Sequence, residues 1–186
     1  MNELKIKDKI YEMPSSWEEC TLEKYVEFLD IKEKGLRRLI NIISVLADCP
    51  KEILRKVKIE DLTKIDLSWM SEKVGSGVEN IIEIEGVKYG LEKDLKAATI
   101  GTMGDLEHYA EDESKNIHKI VAILMRPIIK ENGELYIIED YDSSKMGERA
   151  DIFRKKMNVK QLLNVRSFFL SSVSGFEKSM QSSFLS

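Results

Sequence analysis

This 186-residue sequence predicts an α+β fold, predominantly helical, as a single domain with two short antiparallel β-hairpins and a long C-terminal helix. Three observations lead there. Apolar residues recur at three and four along most of the chain, which is the period of a helix with one buried face. After Gly75-Ser76-Gly77 the period changes to two, the period of strands. Finally, the segment 159–186 carries apolar residues at near-heptad spacing over a long stretch.

The first thirteen residues are polar and lysine-rich, with a short apolar alternation at Leu4, Ile6 and Ile10, and read as an N-terminal strand or arm. Pro14-Ser15-Ser16-Trp17-Glu18-Glu19 reads as a helix start, because serine can cap and the carboxylates suit the positive end of the helix dipole. Thr21 is a second cap, opening Leu22 to Ile31 with Leu22, Tyr25, Val26 and Leu29 on one stripe. A stronger helix follows from Leu36 to Ala47, and Asp48-Cys49-Pro50 ends it, since the residue before a proline avoids the helical region. Short turns cover Pro50 to Val57 and Glu60 to Met70. Beyond the glycine-rich break, Ile82 and Ile84, then Val87 and Tyr89, flank Glu85-Gly86 as a hairpin over 81–91. Asn132-Gly133 suits a type I′ turn in a second hairpin over 128–138. Between them, Gly104 to Arg126 reads as helix, its second half (Ile117, Ile120, Val121, Leu124) apolar enough for a central position. Ser144 to Met157 and the segment from Val159 close the chain. The expected core includes Trp17, Leu39, Ile43, Leu62, Trp69, Tyr109, Ile120, Leu124, Tyr136 and Phe169.

Composition excludes several classes. No apolar run approaches the roughly 18 residues a membrane span needs. Cys20 and Cys49 stand in no motif, which fits a reducing compartment and no disulfide scaffold. Lys and Arg total 29 against 33 Asp and Glu, a net charge of −4 that argues against broad nucleic-acid binding while leaving room for a local basic patch. Basic clusters do occur, at Lys32/Lys34/Arg37/Arg38, Lys51/Arg55/Lys56/Lys58 and Arg154/Lys155/Lys156/Lys160, each interleaved with or flanked by acids. They read as solvated faces unless folding merges them.

The residues that could carry chemistry are few. Asp105, His108 and Asp112 fall at i, i+3 and i+7, so a helix places them on one face, with Glu111 near; imidazole and carboxylates could hold a divalent metal there. A solvated acidic face is the expected reading, because metal sites usually draw ligands from several elements. His118 has no carboxylate at ligand spacing. No serine, threonine or cysteine sits in a recognisable nucleophile context. Gly101-Thr102-Met103-Gly104 lacks the basic residues of a backbone clamp, and Gly75-Ser76-Gly77 lacks the lysine of a phosphate loop. The sequence therefore predicts no catalytic residue, no metal site, no cofactor and no small-molecule substrate.

The C-terminal seam is more informative. Leu162, Val165, Phe169, Val173, Phe176, Met180 and Phe184 form one stripe, opposite a face crowded with serines. Serine is a mediocre helix former, so such a helix needs a surface to pack on. The proximal part, Leu162 to Phe169, is expected on the parent domain, and Phe176, Met180 and Phe184 are expected to contact a partner.

Pro14-Ser15-Ser16-Trp17-Glu18-Glu19-Cys20-Thr21-Leu22-Glu23-Lys24-Tyr25, Asp105-Leu106-Glu107-His108-Tyr109, Ala122-Ile123-Leu124-Met125-Arg126-Pro127 and Ser167-Phe168-Phe169-Leu170 resemble a set of small proteins of tailed bacteriophages. Those proteins are encoded among virion genes and described as structural or tail-assembly-chaperone-like. The resemblance implies a non-enzymatic virion or tail-assembly protein acting through protein–protein contacts, with phage structural proteins or its own copies as partners. It implies a place in the host cytoplasm during assembly, with retention in the virion left open. The other reading the residues permit is a small phage metal- or nucleic-acid-binding accessory protein.

Overall fold

The computed structural model describes residues 2–6, 8–72, 79–133 and 135–170. Mixed α+β architecture is observed, with helices predominating and all sheet pairing antiparallel. The sequence reads as one domain; the chain divides into two compact units, Met1–Val74 with Asn158–Lys160, and Gly75–Met157 with Gln161–Ser186.

The first unit opens with β1 (Asn2–Ile6) and β2 (Lys9–Met13), paired from Asn2↔Met13 to Ile6↔Lys9. This is a third hairpin and not an arm. Alternation sends Leu4, Tyr11 and Met13 inward, where they share a core with Ile43, Ala47, Cys49, Leu54 and Leu62. Residues 15–20 form turns and not a helix start. The Glu19 carboxylate accepts from the Ser15 N–H and hydroxyl, both at 2.8 Å, and the backbone bond is the largest of the contacts that lower its pKa to about 2. The helix waits for Thr21, whose hydroxyl accepts the Lys24 N–H and starts α1 (Leu22–Leu29).

Then come α2 (Gly35–Leu46), α3 (Lys51–Leu54) and α4 (Ile59–Thr63), followed by a 3₁₀ turn, Ser68–Ser71. Lys24 donates to the Leu46 carbonyl at 2.6 Å and pairs with Asp48 at 2.8 Å, placing a cation at the negative end of α2. Trp17 packs edge-on against Trp69 and Tyr25, with ring centroids 4.9 and 5.8 Å away.

The second unit holds the two expected hairpins, but as one sheet. β3 (Ile81–Ile84) and β4 (Val87–Leu91) turn through Glu85 and Gly86, both at positive φ (52° and 81°), as a two-residue primed turn requires. β5 (Met125–Asn132) and β6 (Leu135–Ile138) make the other hairpin. Pairing of Gly90 with Arg126 and Leu91 with Met125 joins them in the order β3-β4-β5-β6. Asn132 pairs with Leu135, so it belongs to the strand and not to the turn that the Asn-Gly signal predicts. A bulge between Ile128 and Lys130 leaves Ile129 unpaired.

Where one helix was expected from Gly104 to Arg126 there are two, α5 (Ile100–Ala110) and α6 (Glu113–Leu124), separated at Asp112, whose backbone is non-helical (φ −132°, ψ 71°). The helix ends at Leu124 because Met125 and Arg126 are taken into the sheet. From Ile120 to Met125 every side chain is at most 1% exposed. α7 (Ser143–Lys156) packs on α6 and sends Arg149 into this core. A further helix, α8, is described over 159–170, with Leu162, Val165 and Phe169 buried and Arg166 bidentate on Glu113. The remainder of the expected long C-terminal helix lies outside the described residues, as does Gly75-Ser76-Gly77. Of the expected core, Ile43, Leu62, Trp69, Ile120, Leu124 and Phe169 are buried, whereas Trp17, Leu39, Tyr109 and Tyr136 are only half-buried.

Gly90 shows what holds β6 in place. A Cβ there would lie 2.5 Å from Tyr136 Cε2 and 2.7 Å from Ile138 Cγ2, so the Tyr136 ring rests on bare backbone. Its single hydroxyl proton is within reach of two carbonyls, the nearer that of Leu91 (2.9 Å) and the other that of Asn80 (3.2 Å), and Lys93 Nζ sits 4.5 Å from its ring. Gly90→Ala should cost about 1–3 kcal/mol in urea unfolding. Gly104→Ala, in helix α5 with nothing within 4 Å of the new methyl, should instead stabilise by about 0.5–1 kcal/mol. Equal effects of the two substitutions would contradict the close contact.

Candidate functional site

Asp105, His108 and Asp112 do not lie on one helix, because α5 ends at Ala110 and Asp112 is the N-cap of α6. Asp105 accepts a short hydrogen bond from the Tyr141 hydroxyl. Asp112 accepts from Ser114 and pairs with Lys115 at 2.7 Å, both contacts lowering its pKa. His108 is exposed and lies edge-on to Tyr109. Among the described residues no group of three or more His, Cys, Asp or Glu side chains is placed to hold a metal ion.

The cysteines are buried in the first unit, and burial pushes the Cys20 thiol up to about 11 and raises that of Cys49, the opposite of nucleophile activation. His118, on α6, is half-buried with no hydrogen-bond partner at Nδ1.

The basic clusters are redistributed. In the third, Lys156 pairs with Glu85 at 2.8 Å and Lys160 with Glu18 at 3.1 Å, so acids neutralise it in part. The second gains what the sequence reading missed: Lys56 and Lys58 share a cleft with Lys5 and Lys9 of the β1–β2 hairpin. The lysine-rich N-terminus was the available signal, but only the burial of Leu4, Tyr11 and Met13 brings it there.

A second surface lies on the sheet. In backbone pairing β6 has β5 as its one neighbour among the described residues, so no strand pairs with its other edge. Tyr136 and Ile138 face Gly90, and the two-residue period therefore turns Leu135 and Ile137 the other way, 75% and 55% exposed. The bulge sets Ile129, 67% exposed, beside Ile137. Three exposed aliphatics at an open edge form a ready surface for another chain. The sequence reading counted Tyr136 toward the core and gave no role to the residues beside it. Phe176, Met180 and Phe184, the expected partner contacts, lie outside the described residues.

No helix among the described residues is long and apolar enough to cross a membrane. No protein-family model, no curated protein and no solved structure matches the chain.

One group makes stability depend on pH near neutrality. Burial first, then Lys119 and Arg154, holds the His118 imidazole below its ordinary value of 6.5, with Asp151 opposing. The unfolded chain therefore binds a proton that the folded chain resists, and stability is lost as pH falls below 6.5 toward the folded pKa. Urea midpoints should drop between about pH 7 and pH 5, and His118→Gln should flatten that drop. An unchanged slope in the variant would show that other groups govern it.

Proposed function

We propose that this is a non-enzymatic virion or tail-assembly protein of a tailed bacteriophage, acting through protein–protein contacts. The phage assignment rests on the sequence resemblance. The contact assignment is supported by one observation above others: the open β6 edge with Leu135, Ile137 and Ile129 exposed beside it. Exposed edges normally carry charge, proline or a cover that prevents pairing, and this one carries aliphatic side chains. Strand addition supplies affinity through backbone hydrogen bonds and specificity through alternate side chains, which suits assembly without chemistry. Phe176, Met180 and Phe184 are the second contact in this reading, on the strength of their spacing in the sequence.

The test uses tagged protein in phage-infected cells and mass spectrometry of purified particles and assembly intermediates. Leu135→Lys combined with Ile137→Lys should leave the melting temperature nearly unchanged, because neither side chain is buried, and should remove the protein from those assemblies. Truncation after Ser174 should likewise keep the fold and reduce incorporation. Wild-type incorporation of both variants, or absence of the intact protein from every assembly, would refute the proposal.

A further inference from the structure

The cleft in the first unit carries a separate signal. It lies between the β1–β2 hairpin and the α3–α4 segment, with a volume of about 770 Å³, inside the range of ligand pockets. Lys5 and Lys9 stand on the hairpin side, Lys56 and Lys58 on the other. Ile6, Ile53 and Val57, all half-buried, line it between them. Two acids also border it: Asp61, which pairs with Lys64 at 3.2 Å, and Asp8. None of the four lysines forms an ion pair among the described residues. Four cations without an ion pair among the described residues, set around aliphatic side chains in a chain of net charge −4, are a local reversal of sign.

We infer that this cleft binds an acidic peptide segment of a partner protein, its carboxylates against Lys5, Lys9, Lys56 and Lys58 and an aliphatic side chain against Ile6, Ile53 and Val57. Nucleic acid fits less well. The cleft has no exposed aromatic platform, since Tyr11 is only 5% exposed and Lys9 Nζ lies 4.8 Å from its ring centroid. Its cations are lysines, with no arginine fork for bidentate phosphate contact. The chain's own residues 171–186 hold one acidic and one basic side chain, so they lack the complementary charge. This inference rests on the protein-contact reading and names a partner chemistry for it, at a surface separate from the β6 edge.

Fluorescence anisotropy on the full chain tests it, using a labelled peptide of about ten residues that alternates Asp or Glu with Leu. The peptide should bind, more weakly as salt rises from about 0.05 to 0.3 M. Replacing its acids by Asn and Gln should abolish binding. Lys5→Glu with Lys56→Glu should weaken binding by about tenfold or more, whereas Lys32→Glu with Arg37→Glu, outside the cleft, should not. All four side chains are exposed, so the variants should fold, which circular dichroism confirms. No binding by the acidic peptide, or equal binding by the cleft variant, overturns the inference. Tighter binding by a single-stranded oligonucleotide of the same charge, lost in the cleft variant, overturns it in favour of nucleic acid. A concentration-dependent dimer that the cleft variant dissociates overturns it in favour of a second copy. Leu135→Lys with Ile137→Lys should bind the peptide normally, so failure of the cleft and failure of the sheet-edge contact are read separately.

Discussion

The second unit depends on closing a helix end that lies among buried side chains. The last carbonyls of any helix lack partners within it, and the end of α6 lies in a run of side chains almost wholly withdrawn from solvent. Arg149 supplies the missing donor: its guanidinium, 5% exposed, reaches the Ala122 carbonyl at 3.0 Å and Glu139 at 3.2 Å. Glu139 also takes Lys145. The Leu124 carbonyl accepts the Glu92 N–H at 2.8 Å, and the Glu92 carboxylate pairs with Arg126. Burial lowers the pKa of Arg149 while Glu139 opposes that shift. The buried cation is offset by its pairing with Glu139 and by the hydrogen bond it gives the Ala122 carbonyl.

From that closure follows the geometry of the sheet. With the Val121, Ala122 and Leu124 carbonyls paired, the chain passes directly from helix to strand, and β5 can pair with β4 on one side and β6 on the other. Gly90 then lets Tyr136 cross the sheet and fasten β6 by its hydroxyl. Fixing Tyr136 and Ile138 on one face fixes Leu135 and Ile137 on the other. The exposed surface is thus held by a buried polar network rather than by its own packing, and a partner would meet a strand already in its bound conformation.

Local signals in the sequence were enough for helices such as α1 and α2 and for the two hairpins of the second unit, since period, Thr21 and Glu85-Gly86 act over a few residues. Their assembly was not legible. Nothing near Tyr89 or Pro127 says that these residues pair across α5 and α6, and a single sheet appears only when they do. The N-terminal hairpin was hidden by its lysines, because Leu4, Tyr11 and Met13 are sparse inward residues in a charged stretch. Ser15 and Glu19 looked like a helix start because they do bond each other, closing a turn instead. Asp105 and Asp112 have the spacing of a ligand pair, but Tyr141, Ser114 and Lys115 occupy them, and all three lie outside the α5 segment. The lysines of the cleft come from two stretches of sequence that share no pattern, so only the fold could bring them together.

The direct test of this account is urea unfolding of Arg149→Met, which keeps an unbranched apolar side chain and removes the guanidinium. If the buried closure organises the second unit, the variant should lose about 3 kcal/mol or more, from the orphaned Ala122 carbonyl and a Glu139 deprived of one cation. A loss below about 1 kcal/mol, near the level of a surface substitution, would contradict it.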